Sequence, residues 1–308
     1  MKPVEASKPA SHIAVMGSLN MDLVLRAPRC AEAGETLLGH DFALHPGGKG
    51  ANQAVACARM GAKVAMIGKL GSDAFADQLR QVMTEAGVDH SHVLTDSGSS
   101  GIAMIVVEDN GQNRIMLAPG ANGMMTAGNV LSAATCLQSA SLLICQLEVP
   151  LECVRQAFEL ARAARVPILF NPAPAMPLSP DMLNVDYLVV NETEAAMISG
   201  LPVNSRAEAV AAAHRLRQAG SACVLLTLGA DGAIIADLDG ARHYPAHATQ
   251  VVDTTAAGDT FIGGMAAGLL EGMNLDDAVA LGMAASALCV SRQGAQPSIP
   301  FRREIVLP

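Results

Sequence analysis

The sequence predicts an α/β protein: a doubly wound, mostly parallel sheet with helices on both faces, joined to a small β-sheet lid. Three observations carry this. From about residue 126 onward, short apolar runs alternate with stretches of helical period, as in strand–helix–strand units whose sheet is covered on both sides. Before that point, two segments alternate apolar with polar residues, as strands with one exposed face do. Finally, 51% of the 308 residues are hydrophobic but only 3% are aromatic, so Ala, Val, Leu, Ile, Met and Gly must build the core by close helix-on-sheet packing.

Taken in order, IAVMG (13–17) is a buried strand ended by Gly, and MDLVLR (21–26) and TLLGHDFALH (36–45) are the half-exposed strands. ANQAVACARM has Ala51, Ala54, Val55 and Ala58 at helical spacing. KVAMIG (63–68) is a strand, and the helix SDAFADQLRQVMTEAG starts with Ser72 as the expected cap. IAMIVVED and NRIMLA form a hairpin about Asn110-Gly111. The regular alternation follows: strands SLLICQLE, VPILFN, VDYLVVN and SACVLLTLG, with helices LECVRQAFELARAA, ETEAAMISG and RAEAVAAAHRLRQAG. Two short strands and the helices AGDTFIGGMAAGLLEG and LDDAVALGMAASALCVS close the chain. One domain is expected over 12–308, after a tail at 1–11.

A chain this long and apolar buries about three quarters of its unfolded surface, which excludes disorder. Its net charge of −9 argues against a nucleic-acid backbone or an anionic membrane as partner, though local donors could still hold a small phosphorylated ligand. The apolar runs are too short to span a bilayer, and MKPVEASKPASH lacks the apolar stretch of a signal peptide. Seven Cys with no C-x-x-C pair read as reduced core residues, so a cytoplasmic protein is expected. The eight His suggest no metal set; His90, His92, His243 and His247 read as surface residues.

Four polar segments fall where such a sheet binds ligands, beyond the carboxyl ends of its strands. In DTTAAGDTFIGG (253–264), small residues precede a helix, so the N–H groups of Ala256, Ala257 and Gly258 could face an anion. Asp259 in the first turn is placed either to take a proton from a hydroxyl or simply to complement the helix dipole. PGGKGANQ (46–53) is not a Walker loop, because Gly50 rather than Ser or Thr follows Lys49. It remains a Gly-rich turn through which Lys49 and Asn52 can approach a polar ligand. In GSLNMD (17–22), Asn20 and Asp22 share one strand face, which either brackets vicinal hydroxyls or is merely solvated. In NETE (191–194), Asn191 and Glu194 either hold phosphate and a hydrated Mg²⁺ or form a capping box.

Together and in this order, GSLNMD, GGKGANQA, QLE (146–148), NPAPA (171–175), NETE, TLGADG (227–232), DTTAAGD and GAQPS (294–298) resemble the PfkB sugar-kinase family, over about residues 12–303. Within it, the similarity is strongest to members that act on ribose. The resemblance implies ATP-dependent phosphorylation of D-ribose at its 5-hydroxyl. It also implies a lid, here about 19–45 and 99–119, that commonly pairs two subunits into a homodimer. By motif, Asn20, Asp22, Gly48, Lys49, Asn52 and Glu148 would hold the sugar. Asn191, Thr227, Gly229 and Gly232 would lie along ATP, and Glu194 would help position Mg²⁺. Met283 would be an apolar wall near adenine, or equally a core residue. Asp259 would be the base, with Ala256, Ala257 and Gly258 as anion hole. A K⁺ beside that hole would be matched by Asp253, Thr255, Cys289, Arg292, Gly294 and Ser298, several through carbonyls. The hole reads AAGD where many members have GAGD.

Kinases of 2-deoxyribose, fructose or a nucleoside such as adenosine would share most of these motifs. Asn20 favours ribose, since its amide can bond a hydroxyl that deoxyribose lacks. A sugar-binding sensor without catalysis would be expected to lack Asp259 or Gly258, and both are present.

Overall fold

The structure, a computed structural model, describes residues 11–306; most of the expected N-terminal tail lies outside the described residues. Thirteen strands and nine α-helices follow one another in it. The first strand, β1 (Ile13–Met16), leads into β2 (Asn20–Ala27) and β3 (Asp41–Gly47), then α1 (Lys49–Arg59), β4 (Val64–Leu70), α2 (Ala74–Ala86) and β5 (Asp89–Thr95). The hairpin β6 (Gly101–Glu108) and β7 (Asn113–Ala118) comes next, then α3 (Ala127–Ser132) and α4 (Ala134–Ser139). The alternating part runs β8 (Leu142–Cys145), α5 (Leu151–Ala164), β9 (Ile168–Phe170), β10 (Tyr187–Asn191), α6 (Glu192–Ser199), α7 (Arg206–Gln218) and β11 (Cys223–Thr227). It ends with β12 (Ala233–Asp237), β13 (Gly240–Tyr244), α8 (Ala257–Leu270) and α9 (Leu275–Cys289).

Nine strands form the main sheet, in the order β13-β12-β11-β10-β9-β8-β1-β4-β5; all pair in parallel except β12 and β13. Alternate strand residues feed opposite layers, so apolar runs are required on both faces. Ala14, Met16, Leu143, Cys145, Phe170 and Leu226 pack with α3 to α7, whereas Ile13, Val15, Ile144, Leu169, Val189 and Leu225 pack with α1, α2, α8 and α9. The chain winds from β1 to β4 on one side and later to β8 on the other, so β1 and β8 flank the crevice where such sheets bind ligands. Four strands form a separate sheet, β3-β2-β6-β7, in which β2 pairs with β6 in parallel and the other two pairings are antiparallel.

The structure corrects several details of the sequence reading. The second half-exposed strand begins at Asp41 rather than at residue 36, because Leu38 is 85% exposed and has no core to join. Asp73, not Ser72, caps α2: its carboxylate accepts from Ala76 N–H, while Ser72 bonds to the Ser97 carbonyl. The strand β5 escaped prediction because DHSHVLT is a mostly polar edge strand, and α3 and α4 because they are six residues each. No helix among the described residues is long and apolar enough to cross a membrane.

One contact fixes the centre of the molecule. A Cβ on Gly263 of α8 would lie 2.3 Å from that of Ala56 on α1, so only Gly lets these helices touch. Gly263→Ala is expected to cost about 1–3 kcal/mol by overpacking, read as a lowered midpoint in thermal denaturation. An unchanged midpoint would mean the helices separate freely.

Candidate functional site

The helix α8 starts at the carboxyl ends of β10 and β11, and its first turn carries Asp259, 7% exposed. Its cap, Ala256, lies in the left-handed region at φ 60°, ψ 10°. That conformation costs a residue with a Cβ roughly 1–2 kcal/mol, which explains why Gly suits the position. Of the three expected anion-hole donors, Ala257 N–H is turned back to the Thr254 carbonyl at 3.2 Å. The N–H groups of Ala256 and Gly258 have no acceptor among the described residues. Two of the three expected donors are therefore open.

Asp259 is bound by two neighbouring amides from α1. Asn52 Nδ2 donates to Oδ2 at 3.0 Å, and Gln53 Nε2 donates to Oδ1 at 2.9 Å. The α1 helix reaches this place because the turn before it runs close over the end of β1. Gly48 has φ 88°, and a Cβ there would lie 2.7 Å from Asn20 N.

A second group of polar side chains converges across the crevice. Asn20 and Asp22 lie on one face of β2, 5% and 8% exposed, as their spacing implied. Asn122 Nδ2 donates to Asn20 Oδ1 at 2.8 Å, and its other hydrogen bonds tie it to both backbone atoms of Leu19. The Asn20 amide thus keeps its N–H groups for a ligand. Glu148 accepts from Ser18 Oγ at 2.5 Å and from Lys49 N–H at 3.1 Å.

Charge in the site is unbalanced. Burial alone would lower the Lys49 ammonium, but the carboxylates of Asp259, Glu148, Glu194 and Asp22 outweigh it and push its pKa up, so it stays charged. Burial, then Glu148 and Asp259, push Asp22 up to about 7, with Lys49 opposing. Burial also raises Glu194, although the Asn191 N–H that it accepts works against this. One ammonium among four carboxylates leaves room for added positive charge beside any phosphate that enters.

Two cavities adjoin at the start of α8. The smaller, about 190 Å³, is lined by Lys49, Asn191, Glu194, Gly258 and Asp259. The larger, about 450 Å³, is mostly apolar and includes Thr227, Gly229, Gly232 and Met283. Met283 both lines this wall and packs on the core behind it. Asn191 and Glu194 do form the capping box of α6, each side chain bonding the other's N–H at 2.8–2.9 Å. They also line the smaller cavity, so the cap presents both groups to it. A third cavity, about 330 Å³, opens between β7 and the main sheet beside Asn20 and Glu148.

The expected cation residues divide. Asp253 accepts from Thr255 N–H, Thr255 Oγ1 and Gly294 N–H at 2.6–2.9 Å. Burial alone would raise Asp253, but these donors hold it below the usual carboxylate value. Cys289 Sγ lies 3.0 Å from Ser298 Oγ and donates to the Thr255 carbonyl at 3.7 Å. Arg292 instead sends its guanidinium to Glu304 at 2.7 Å.

Sequence reasoning missed Ser18, Gln53, Asn122 and Thr254. Two adjacent amides in a helix of small apolar residues, Asn52 and Gln53, were a readable signal. Asn122 had none, since only the fold brings it to β2 from 102 positions away.

The family profile described as "pfkB family carbohydrate kinase" matches residues 10–302. The chain is similar to the ribokinase of Haemophilus influenzae, at 40% identity over 294 residues, 95% of this chain and 96% of that one. It is also similar to the deoxyribokinase of Salmonella typhi, at 36% identity over 94% of this chain and 95% of that one. Among solved structures it matches Arabidopsis thaliana ribokinase complexed with ribose and ATP, with a TM-score of 0.88 and 28% identity over 96% of this chain and 97% of that one.

Proposed function

Since this chain belongs to the pfkB family of carbohydrate kinases, we propose that it transfers the γ-phosphoryl group of ATP to the 5-hydroxyl of D-ribose, giving D-ribose 5-phosphate and ADP. The observation that carries the reading is the position of Asp259. It is a buried carboxylate held by two amide donors, at a helix N-terminus between a polar crevice and an apolar cavity of about 450 Å³.

The sugar sits in the crevice against Asn20, Asp22, Gly48, Lys49, Asn52 and Glu148. Asp22 and Glu148 accept sugar hydroxyls, and Asn20 donates, because Asn122 already occupies its oxygen. Asp259 takes the 5-hydroxyl proton as O5 attacks phosphorus in line and the β–γ bridging oxygen leaves with ADP. The open N–H groups of Ala256 and Gly258 and the helix dipole stabilise charge on the transferred group. Adenosine lies along Thr227, Gly229, Gly232 and Met283. Glu194 and Asn191 face the phosphates, where Glu194 would hold Mg²⁺ through water. The carboxylate excess around Lys49 fits such an ion, which when bound neutralises phosphate charge. The oxygens of Asp253, Thr255, Gly294 and Ser298 and the carbonyl of Cys289 suit a monovalent cation; the Arg292 side chain is not part of that set.

A coupled assay with ATP and Mg²⁺ tests this reading. Ribose-dependent ADP release, increased by K⁺ and well above that with 2-deoxyribose, is expected. Equal kcat/KM for the two sugars would reject the role of Asn20, and no turnover with either would reject the function.

The four-stranded sheet acts as a lid and as a dimer interface. Its register aligns Leu44, Leu23, Met104 and Met116 in one row and Phe42, Leu25 and Val106 in the next. Phe42, Met104 and Met116 are more than half exposed, an apolar face that a second copy of the same sheet would cover. Light scattering should give twice the chain mass, and Met104→Glu should give a monomer with weaker ribose binding. A monomeric parent protein would reject this pairing. The seven free cysteines, five of them buried, fit a reducing cytoplasm.

A further inference from the structure

Behind the candidate base lies a relay of buried amides. Gln53 Nε2 donates to Asp259 Oδ1 at 2.9 Å and reaches Asn171 Oδ1 at 3.3 Å. Gln53 Oε1 accepts from Gln146 Nε2 at 2.6 Å, and Asn171 Nδ2 is anchored on the Val189 carbonyl at 3.0 Å. Gln53 and Gln146 are fully buried, and Asn171 is 8% exposed.

The orientations of Gln53 and Gln146 follow from the acceptor they face. An ionised carboxylate accepts only, so Gln53 must turn its NH₂ group towards Asp259. Its oxygen then faces Gln146, which must present a donor. Asn171 independently offers an oxygen to the same NH₂ group, because its own NH₂ is taken by β10. Two elements therefore lock Gln53 from behind: the chain after β8 through Gln146, and the chain after β9 through Asn171. Packing does not require this arrangement. A Met side chain would fill a similar volume, whereas the amides leave Gln146 Oε1 buried without a partner among the described residues.

We propose that Gln53, locked by Gln146 and Asn171, is a positioning residue for phosphoryl transfer: it holds the Asp259 carboxylate correctly turned for the sugar hydroxyl. This rests on the reading of Asp259 as base. With Asn52 on Oδ2 and Gln53 on Oδ1, each oxygen spends one acceptor site on a fixed donor and keeps one. The carboxylate can then no longer rotate about its bond to Cβ, so an acceptor site faces the hydroxyl without reorganisation at the moment of transfer. Gln53 touches neither sugar nor nucleotide in this reading and acts only through Asp259.

The test is a double-mutant cycle on kcat in the full-length enzyme, with ribose and ATP affinities from titration calorimetry. Gln53→Met should lower kcat about 10- to 100-fold and leave both dissociation constants within about twofold. In an Asp259→Asn background, followed by long-incubation product assay, Gln53→Met should cost less than about twofold more, because the group it positions is gone. The same fold-loss in both backgrounds, or a loss confined to ribose affinity, would overturn the proposal. Should Gln53→Met fail to fold, Gln146→Met probes the relay one bond further back. It should give the same non-additivity with a smaller loss, and additivity there would equally overturn it. Near-normal kcat in Asp259→Asn alone would instead defeat the base assignment, so the two failures are distinguishable.

Discussion

Asp259→Asn is expected to lower kcat by about 10²–10⁴-fold while ribose and ATP still bind. An amide oxygen is far too weak a base to take the hydroxyl proton, but it occupies the same volume at the head of α8. The apolar cavity proposed to hold adenosine is lined mainly by other residues, among them Thr227, Gly229 and Met283, and stays intact. The substitution has a structural cost that must be separated from the chemical one. Both oxygens of Asp259 accept from amide donors, so an Asn there sets one NH₂ group against another. Leaving a buried donor unpaired costs about 1–3 kcal/mol, which should appear as a lower thermal midpoint. Stability and turnover should thus both fall, but ligand affinities should not. Retained turnover would remove Asp259 from the chemistry and leave it as a helix-dipole partner.

Parts of this site were legible in the sequence because the chemistry lies on contiguous segments. DTTAAGD places Asp259 at a helix start, and the two-residue spacing puts Asn20 and Asp22 on one strand face. The choice between capping and ligand binding at Asn191 and Glu194 was not legible, since one geometry serves both: the cap is made and still faces the cavity. Nor could local sequence show that Ala257 N–H turns back to Thr254, because that depends on the left-handed conformation at Ala256. The partners of Asp259 and Asn20 were hidden for a different reason. Gln53 meets Asp259 across 206 positions and Asn122 meets Asn20 across 102, contacts that exist only once the helices and sheets are assembled. At the level of elements, strands filled with apolar residues were readable because both sheet faces are covered. The edge strand β5, whose first four residues are all polar or charged, was not.

Ribose binding is expected to depend on pH through Asp22, weakening as pH falls below 7, with a slope that approaches about tenfold per unit, and levelling off above it. Burial first, then Glu148 and Asp259, push this carboxyl up to about 7, while Lys49 pulls it down. Sugar hydroxyls donate best to the ionised form, so binding must displace the proton wherever Asp22 still holds one. With a value near 7, the linkage amounts to roughly fiftyfold weaker binding at pH 5 than at pH 7. The same shift acts on stability with a definite sign. The folded pKa lies above the unfolded value of 3.8, so the native state holds the proton more tightly. The stability contributed by neutral Asp22 is therefore present at low pH and is lost as pH rises from about 4 through 7. Bound ribose offsets part of that loss, so its stabilising effect on the thermal midpoint should grow across the same range. Calorimetry at pH 7 in two buffers of different ionisation enthalpy should detect about half a proton released per ribose bound. Asp22→Asn should bind ribose weakly with no pH dependence and be more stable than the parent above pH 7. Asp259→Asn should move the inflection to lower pH, because it removes one of the charges that raise Asp22. Ribose affinity that is flat between pH 5 and 8 in the parent protein would mean that Asp22 is not the group receiving the sugar hydroxyls.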